Sequence, residues 1–194
     1  MPRPNLKQER TNTILDAMEY CIIRDGVSGI TLEKIAQQAG MQRSLLRHNI
    51  GNREQLIEAY LARFVEESQE ATQQILEMLP TTNRIPTLLR YLFDEQYANH
   101  RLAQIALSLT AAAVDYPSIR KCLRQWNENF IALIAEELTK NYPDATPSDC
   151  FEVACGLTGI YFNSESLTPL GSLPKIRRGS KQAAIRLVAT LNKS

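Results

Sequence analysis

The chain has 194 residues and is 44% hydrophobic, enough for one or two domains with a sizeable core. Its net charge of +1 hides a basic front, an acidic middle and a basic tail: net +2 over residues 1–64, −7 over 65–165 and +6 over 166–194. The first residues are polar, and the longest apolar-rich run, 102–114, is shorter than the roughly 20 residues of a membrane helix. We therefore expect a cytoplasmic protein with no signal peptide and no membrane span.

The front of the chain reads as three helices followed by a fourth, longer one. An apolar stripe to about residue 22 ends at Asp25-Gly26. Thr31 is a good N-cap for a second helix, and Gly40 suits the turn after it. A third helix is predicted over 42–49. Asn52, with Gln55 three residues on, predicts a capping box for a helix that continues to Leu79, before Pro80.

Helical periodicity continues to the C-terminus. It predicts helices over 84–98, 101–114, 117–142, 147–167 and 179–192. Thr146-Pro147 is a cap followed by proline at the first helical position, and Pro169, Gly171 and Pro174 separate the last two helices. No strand pattern competes, so the predicted fold class is all-α with about nine helices.

The second and third predicted helices, joined by a turn with a glycine and supported by the first, follow the helix-turn-helix plan. Such a unit places a short helix in the major groove of DNA. From Lys34 to Arg53 there are four basic residues and no acidic one. A polyanionic partner favours that charge pattern, because phosphate neutralisation releases counterions.

The segment TLEKIAQQAGMQRSLLRHNIGNREQLI, which starts at Thr31, resembles the DNA-binding segment of the TetR (tetracycline-repressor) family of transcription regulators. The positions that match the family pattern are Thr31, Ile35, Ala36, Ala39, Gly40, Leu46, Arg53 (for Lys) and Leu56. Residues 115–138 resemble, less closely, a helix of the family's effector domain. The resemblance implies a helix-turn-helix DNA-binding domain over 1–52 and a helical effector-binding and dimerisation domain over 53–194.

Within the motif, Gln42, Ser44, Arg47, Asn49 and Ile50 depart from the family's usual Ser, small residue, Tyr, His and Phe. The predicted DNA-binding residues are Thr31, Gln42, Arg43, Ser44, Leu45, Arg47, His48, Asn49 and Arg53. Arg43 is the candidate for reading a guanine edge, while Leu45 suits either a thymine methyl or the core. Arg47, Asn49, Thr31 and Arg53 are phosphate candidates. Arg3, Lys7 and Arg10 form a polar arm suited either to a minor groove or to disorder.

The resemblance also implies an effector pocket and a dimer interface. The aromatic candidates for the pocket are Phe93, Tyr97, Trp126, Phe130, Tyr161 and Phe162, although aromatic residues at helical spacing more often belong to the core. The candidates for an interface built from the last two helices are Gly156, Leu157, Ile160, Ile185, Val188 and Leu191; the small residues could instead pack within one subunit. The acid-free tail suits the rim of the dimer, a contact with the acidic middle, or a second nucleic-acid patch.

The chain offers little for catalysis. Cys21, Cys122, Cys150 and Cys155 have no metal or redox spacing and are expected to be buried, reduced thiols. The two histidines, His48 and His100, belong to no Ser/His/Asp set, and no glycine loop would cradle phosphates. We therefore expect no enzyme activity, no metal and no cofactor.

The sequence thus predicts a homodimeric regulator. Its expected partners are a palindromic double-stranded DNA operator and a small-molecule effector whose binding releases the DNA. A repressor is the reading that the family favours, although an activator would use the same contacts. The alternative from another class is a helical dimeric interaction module whose DNA-binding head has drifted.

Overall fold

The computed structural model describes residues 6–193, with side chains for residues 6–192. The described residues are helical and contain no strand, which confirms the all-α prediction. The helices are α1 (Leu6–Asp25), α2 (Leu32–Gln38), α3 (Arg43–Ile50), α4 (Arg53–Glu77), α5 (Arg84–Phe93), α6 (His100–Ala112), α7 (Pro117–Asn141), α8 (Pro147–Ser166) and α9 (Pro174–Val188). Short 3-10 turns lie at Val27–Gly29, Glu95–Tyr97, Thr168–Leu170 and Ala189–Lys193.

The helix ends follow the predicted caps. Thr31 Oγ1 accepts a hydrogen bond from the Lys34 amide at 3.2 Å. Asn52 and Gln55 form the reciprocal capping box, at 2.9 and 3.0 Å. Thr146 and Asp149 form a second box, with Pro147 at the first helical position. These local signals confirm the predicted starts of α2, α4 and α8.

Two predicted helices have wrong bounds. The helix expected over 84–98 ends at Phe93 and gives way to the turn Glu95–Tyr97. The helix expected over 179–192 runs from Pro174 to Val188 and is followed by the turn Ala189–Lys193. Proline has no amide hydrogen and a fixed φ, so it suits the first turn of a helix and here opens α9 instead of preceding it.

The chain divides into two compact units. The first contains residues 6–68 and 105–123, and the second contains residues 69–104 and 124–193. The helices α4, α6 and α7 therefore each supply residues to both units.

The first unit has α1, α2 and α3 in mutual contact. The predicted stripe on α1 is confirmed, since Ile14, Met18, Cys21 and Ile22 are all buried. Ile35 and Ala36 of α2 are buried, whereas Leu32 at its start and Ala39 just after its end are half-buried. Apolar side chains of α4 that are buried in this unit are Leu56, Ile57, Tyr60, Leu61 and Phe64.

The second unit has a core built from α5, the later part of α7, α8 and α9. Arg84, at the start of α5, donates to the carbonyl oxygens of Leu76 and Leu79 at the end of α4, at 3.3 and 3.2 Å. The same guanidinium pairs with Glu137 of α7 at 2.6 Å. Because the Glu137 side chain is only 6% exposed, this pair links three helices at a buried carboxylate.

The four cysteines are free thiols, as expected, but only Cys21 and Cys150 are buried. Cys122 and Cys155 are half-buried, so the expectation of burial holds for two of the four. Within residues 6–193, no helix combines the length and apolar character that crossing a membrane requires.

The Arg84–Glu137 pair generates a prediction for stability. Burial disfavours the charged form of Glu137, but Arg84, aided by Lys140, outweighs burial and lowers the pKa of this carboxyl. Replacing Arg84 by Met leaves the buried carboxylate with only the longer contact to Lys140, at 3.5 Å, so we expect the free energy of unfolding at pH 7 to fall by about 3 kcal/mol. Urea denaturation followed by circular dichroism measures this loss.

The pH dependence has a defined sign. A carboxyl with a lowered folded-state pKa contributes stability above its unfolded pKa, and that contribution is lost as the pH falls. The loss of unfolding free energy caused by Arg84→Met should therefore shrink toward pH 4, because protonation of Glu137 removes its buried negative charge. Arg90→Met is the matched control on the exposed side of α5 and should have little effect. An equal loss at both pH values would point to packing instead.

Candidate nucleic-acid interface

The short helix α3 has one buried side and one exposed side. Leu46 is fully buried, whereas Arg43, Ser44, Arg47 and His48 are exposed. Gly40, with φ of +64°, makes the turn between α2 and α3, a left-handed conformation that glycine adopts without strain. The packing of α3 thus presents two turns of polar side chains to solvent, as a helix that enters a groove must.

The remaining predicted contacts on α3 lie at the edge of this row. Gln42 precedes the helix and is exposed, while Leu45 and Asn49 are half-buried. The Asn49 amide nitrogen donates to the Leu45 carbonyl oxygen at 2.7 Å. One N–H donor of the Asn49 side chain is therefore used within the helix, and the phosphate contact of Asn49 stays a prediction.

Most of the basic residues in this region have partners within the chain. Lys34 lies 3.0 Å from Asp25 and donates to the Gly29 carbonyl oxygen at 2.7 Å. Arg43 forms an ion pair with Glu33 of α2. Asp25 and Glu33 both lie outside the stretch 34–53, so the count of charges along the sequence missed the acids that the fold brings to it.

Asp25 itself forms ion pairs with two basic side chains. Arg24 and Lys34 hydrogen-bond to its carboxylate and hold its pKa well below the usual range. Arg47, by contrast, is exposed and forms no ion pair within the part of the chain that the structure describes. Arg47 is therefore the arginine of α3 whose charge is available to an approaching phosphate.

Arg53 is held inside the first unit. Its Nη1 donates to the Tyr116 hydroxyl at 2.7 Å, and its Nη2 donates to the Val27 carbonyl oxygen at 3.1 Å. The guanidinium carbon also lies 5.1 Å from the centroid of the Tyr116 ring. Arg53 thus ties the start of α4 to the loop after α1 and to the turn before α7, and its predicted phosphate contact would compete with these bonds.

The other two predicted elements are Thr31 and the N-terminal arm. Thr31 is exposed, and its hydroxyl caps α2. Lys7 and Arg10 lie exposed on the first turns of α1, so they belong to a helix and not to an arm. Arg3 lies outside the described residues.

The second unit brings most of the predicted pocket residues together. The ring centroids of Trp126 and Phe162 are 5.2 Å apart, those of Phe130 and Phe162 5.6 Å, and those of Phe130 and Tyr161 5.8 Å. Phe93 joins through Tyr161 at 6.2 Å. Phe93 is buried, whereas the other four rings are half-buried. These five residues, Phe93, Trp126, Phe130, Tyr161 and Phe162, are called the aromatic cluster below.

Tyr97 does not join the aromatic cluster. It packs edge-on against Tyr91, with centroids 4.7 Å apart, and it is 39% exposed. The hydroxyl of Tyr161, in contrast, has a raised pKa, because burial and the nearby negative charge of Glu165 both disfavour the phenolate.

A charged cavity of about 200 Å³ lies in the same unit, and sequence reasoning missed it. Glu95, His100, Ser164, Thr168 and Arg177 are among the residues that line it. Arg177 pairs with Glu95 at 2.7 Å and with Glu165 at 2.8 Å. The cavity could not be found by sequence because its lining residues come from three separate segments.

The basic tail contacts the acidic middle, which was one of the three readings left open. Arg177 binds two glutamates, and Lys181 pairs with Asp94. Lys175, Arg178 and Arg186 are exposed, and the side chain of Lys193 lies outside the described residues.

The dimer candidates fall into two groups. Leu157, Val188 and Leu191 are buried in the core of the second unit, at 1, 5 and 3% exposure. Gly156 lets α8 approach α9, because a Cβ there would lie 2.5 Å from Leu187 Cδ2.

The second group faces outward. Ile185 is exposed and Ile160 is half-buried. Phe151 of α8, which the sequence analysis did not select, is 54% exposed. A second subunit could cover these residues without disturbing the core, whereas Leu157, Val188 and Leu191 already contribute to it.

The bonds of Arg53 generate a prediction that separates its structural role from that of Arg47. Arg53→Met removes two hydrogen bonds from a charged donor, so we expect the free energy of unfolding to fall by about 2 kcal/mol. Arg47→Met removes the same charge from an exposed side chain, and it should leave stability within about 0.5 kcal/mol of the parent. Tyr116→Phe should reproduce part of the Arg53→Met effect. Urea denaturation measures all three, and equal stability of the two arginine variants would contradict the structural role of Arg53.

Comparison with known proteins agrees with this geometry. No protein-family model matches the chain. The chain is 22% identical over 147 residues to the HTH-type transcriptional regulator BetI of Paraburkholderia phymatum, covering 75% of each protein. A TetR transcription regulator from Haloarcula marismortui superposes with a TM-score of 0.75 at 17% identity, covering 94% of this chain and 98% of that one.

The multidrug binding protein EbrR, solved with imidazole, superposes with a TM-score of 0.65 at 18% identity, covering 92% and 94% of the two chains. The resemblance to the TetR family is thereby confirmed: this chain has the all-α fold of the TetR regulators along almost its whole length.

Proposed function

We propose that the protein is a ligand-responsive transcription regulator that binds a palindromic DNA operator as a homodimer, with α3 as the reading helix. The observation that carries the proposal is the exposed row Arg43, Ser44, Arg47 and His48 on a helix that is anchored by the buried Leu46. The curated relative named above is an HTH-type transcriptional regulator, which supports the same function. A cytoplasmic location, with access to DNA, is part of the proposal.

The roles of individual residues follow from their partners. Arg43 is the base-reading candidate and Arg47 the phosphate candidate, with Gln42, Ser44 and His48 beside them. Thr31 lies exposed at the start of α2, where its hydroxyl suits a phosphate. Leu45, Asn49 and Arg53 are secondary, because each is half-buried. We place the end of the DNA-binding domain near residue 52, with effector binding and dimerisation in residues 53–194.

The aromatic cluster is the proposed effector site. Four of its rings are half-buried and stand on α7 and α8, so they offer an apolar surface that is not sealed in the core. Trp126 is the single tryptophan of the chain, and its fluorescence would therefore report directly on a ligand that enters the cluster. Release of DNA would follow if the effector favoured a spacing of the two reading helices that does not match half-sites about 34–36 Å apart.

The first test selects an operator from a random DNA pool and measures binding by fluorescence anisotropy. The parent protein should prefer the selected sequence over a shuffled copy by on the order of 10³-fold or more. The double variant Arg43→Ala/Arg47→Ala should lose at least about 100-fold in affinity for the operator, because it removes one base contact and one phosphate contact.

The control removes the same charge elsewhere. Arg90→Ala/Arg124→Ala changes two exposed arginines of the second unit and should bind the operator as the parent does. If the α3 variant kept both affinity and preference, α3 would not be the reading helix. A parent protein without sequence preference would favour the interaction module with a drifted head.

The dimer has its own test. We expect the parent protein to sediment as a dimer and Ile185→Glu to shift it toward the monomer, because a charge on an apolar interface must be desolvated. Val114→Glu, at a side chain 79% exposed in the other unit, is the control and should leave the dimer intact. A monomeric parent protein would contradict the dimer, and a dimeric Ile185→Glu would move the interface away from α9.

A further inference from the structure

Glu33 is the acidic side chain that the fold places against the reading row. It is the second residue of α2, and it forms an ion pair with Arg43, the first residue of α3. Both side chains are more than half exposed, at 58% for Glu33 and 54% for Arg43. A glutamate on a surface that meets phosphates repels them, so its presence there calls for an explanation.

Stabilisation of α2 explains only part of it. An acidic residue in the first turn is favourable near the positive end of a helix. That effect requires no contact with another helix, and an exposed ion pair adds little to stability by itself. The contact with Arg43 therefore points to a role in what Arg43 does.

The contact leaves the reading edge of Arg43 open. It joins Arg43 Nη1 to Glu33 Oε1. A guanidinium carries five N–H donors, so Nη2 and Nε remain as two parallel donors. Two parallel donors match the O6 and N7 acceptors of guanine in the major groove. Holding one edge of the fork also reduces the rotamer freedom that binding would otherwise have to remove.

We propose that Glu33 is a positioning and specificity-determining residue for Arg43, which rests on the proposed DNA-binding function. Its carboxylate fixes the guanidinium for a guanine edge and neutralises it toward phosphates. Since phosphate attraction is common to all sequences and the guanine contact is not, Glu33 lowers binding to unrelated DNA more than binding to the operator.

The charge balance around α3 supports this reading. Lys34 is paired with Asp25, and Arg53 is bound to Tyr116 and Val27. With Arg43 paired as well, Arg47 is the arginine of α3 that keeps an uncompensated charge within the described chain. A reading helix with so little available positive charge gains little free energy from counterion release. Discrimination by base contacts therefore contributes more to specific binding.

Two variants separate the two roles of Glu33. Glu33→Gln keeps a hydrogen-bond acceptor of the same length and removes the charge. Glu33→Asp keeps the charge and the preference for the first helical turn, but it shortens the reach to Arg43. Glu54→Gln and Glu54→Asp are the matched controls, because Glu54 is an exposed first-turn glutamate of α4 with no ion pair in the described chain.

The measurement is anisotropy over a salt series with three kinds of DNA. These are the selected operator, copies in which each G·C pair of the half-site is replaced in turn, and a shuffled copy. Thermal denaturation of every variant checks that the fold is kept.

We expect Glu33→Asp to lose on the order of tenfold in discrimination at one G·C pair, with little change on shuffled DNA. Glu33→Gln should keep that discrimination and bind shuffled DNA more tightly, with a salt slope steeper by about one phosphate contact. The Glu54 variants should change neither quantity.

The proposal is overturned if Glu33→Asp discriminates as the parent does, if Glu33→Gln binds shuffled DNA no more tightly, or if the Glu54 variants show the same changes. A parent protein that prefers no sequence would instead remove the proposed function, and the role of Glu33 in it would fall as well. The parent titration thus distinguishes the two failures.

Discussion

The burial of Leu46 is the constraint on which the rest of the proposed DNA-binding surface depends. An isolated helix of eight residues is unstable in water, because its few hydrogen bonds do not offset nucleation. Leu46, fully buried, contributes about 2 kcal/mol of apolar burial and fixes the rotation of α3 about its own axis. Arg43 and Arg47, which are four positions apart, share a neighbouring side of the helix, and both are exposed at this rotation. Shortness is therefore compatible with function only because neighbouring helices hold α3.

Pairing within the chain then decides how much of that surface is electrically active. Along the sequence, the four residues in the stretch 34–53 that carry a full charge are all basic. Counted in space, Asp25, Glu33 and the hydroxyl of Tyr116 engage three of its four cations. Charge that is already paired must exchange partners to bind a phosphate, and each exchange returns only the difference between two contacts. In the proposed function, the surface is for this reason better suited to recognising base edges than to holding any polyanion.

Features written into neighbouring residues were predictable, while partners far apart in sequence were not. The caps at Thr31, Asn52 and Thr146 involve residues three positions apart, so propensity and spacing suffice to find them. The stripe on α1 follows from the helical period alone. Arg53 and Tyr116 are 63 residues apart, and Lys181 and Asp94 are 87 apart. Local spacing does not select one such partner over another exposed carboxylate or hydroxyl. The phosphate role predicted for Arg53 therefore did not take Tyr116 into account.

The same limit explains why the tail needed the structure. An acid-free segment of net charge +6 is compatible with a nucleic-acid patch as well as with a partner for the acidic middle. Arg177 and Lys181 contact Glu95, Glu165 and Asp94, so part of the tail's charge is compensated inside the second unit. These pairs bind the first half of α9 to the end of α5 and to α8. The inner side of α9 is consequently fixed by ion pairs as well as by apolar residues. A helix held in this way can present a fixed outward face, as the proposed subunit interface requires.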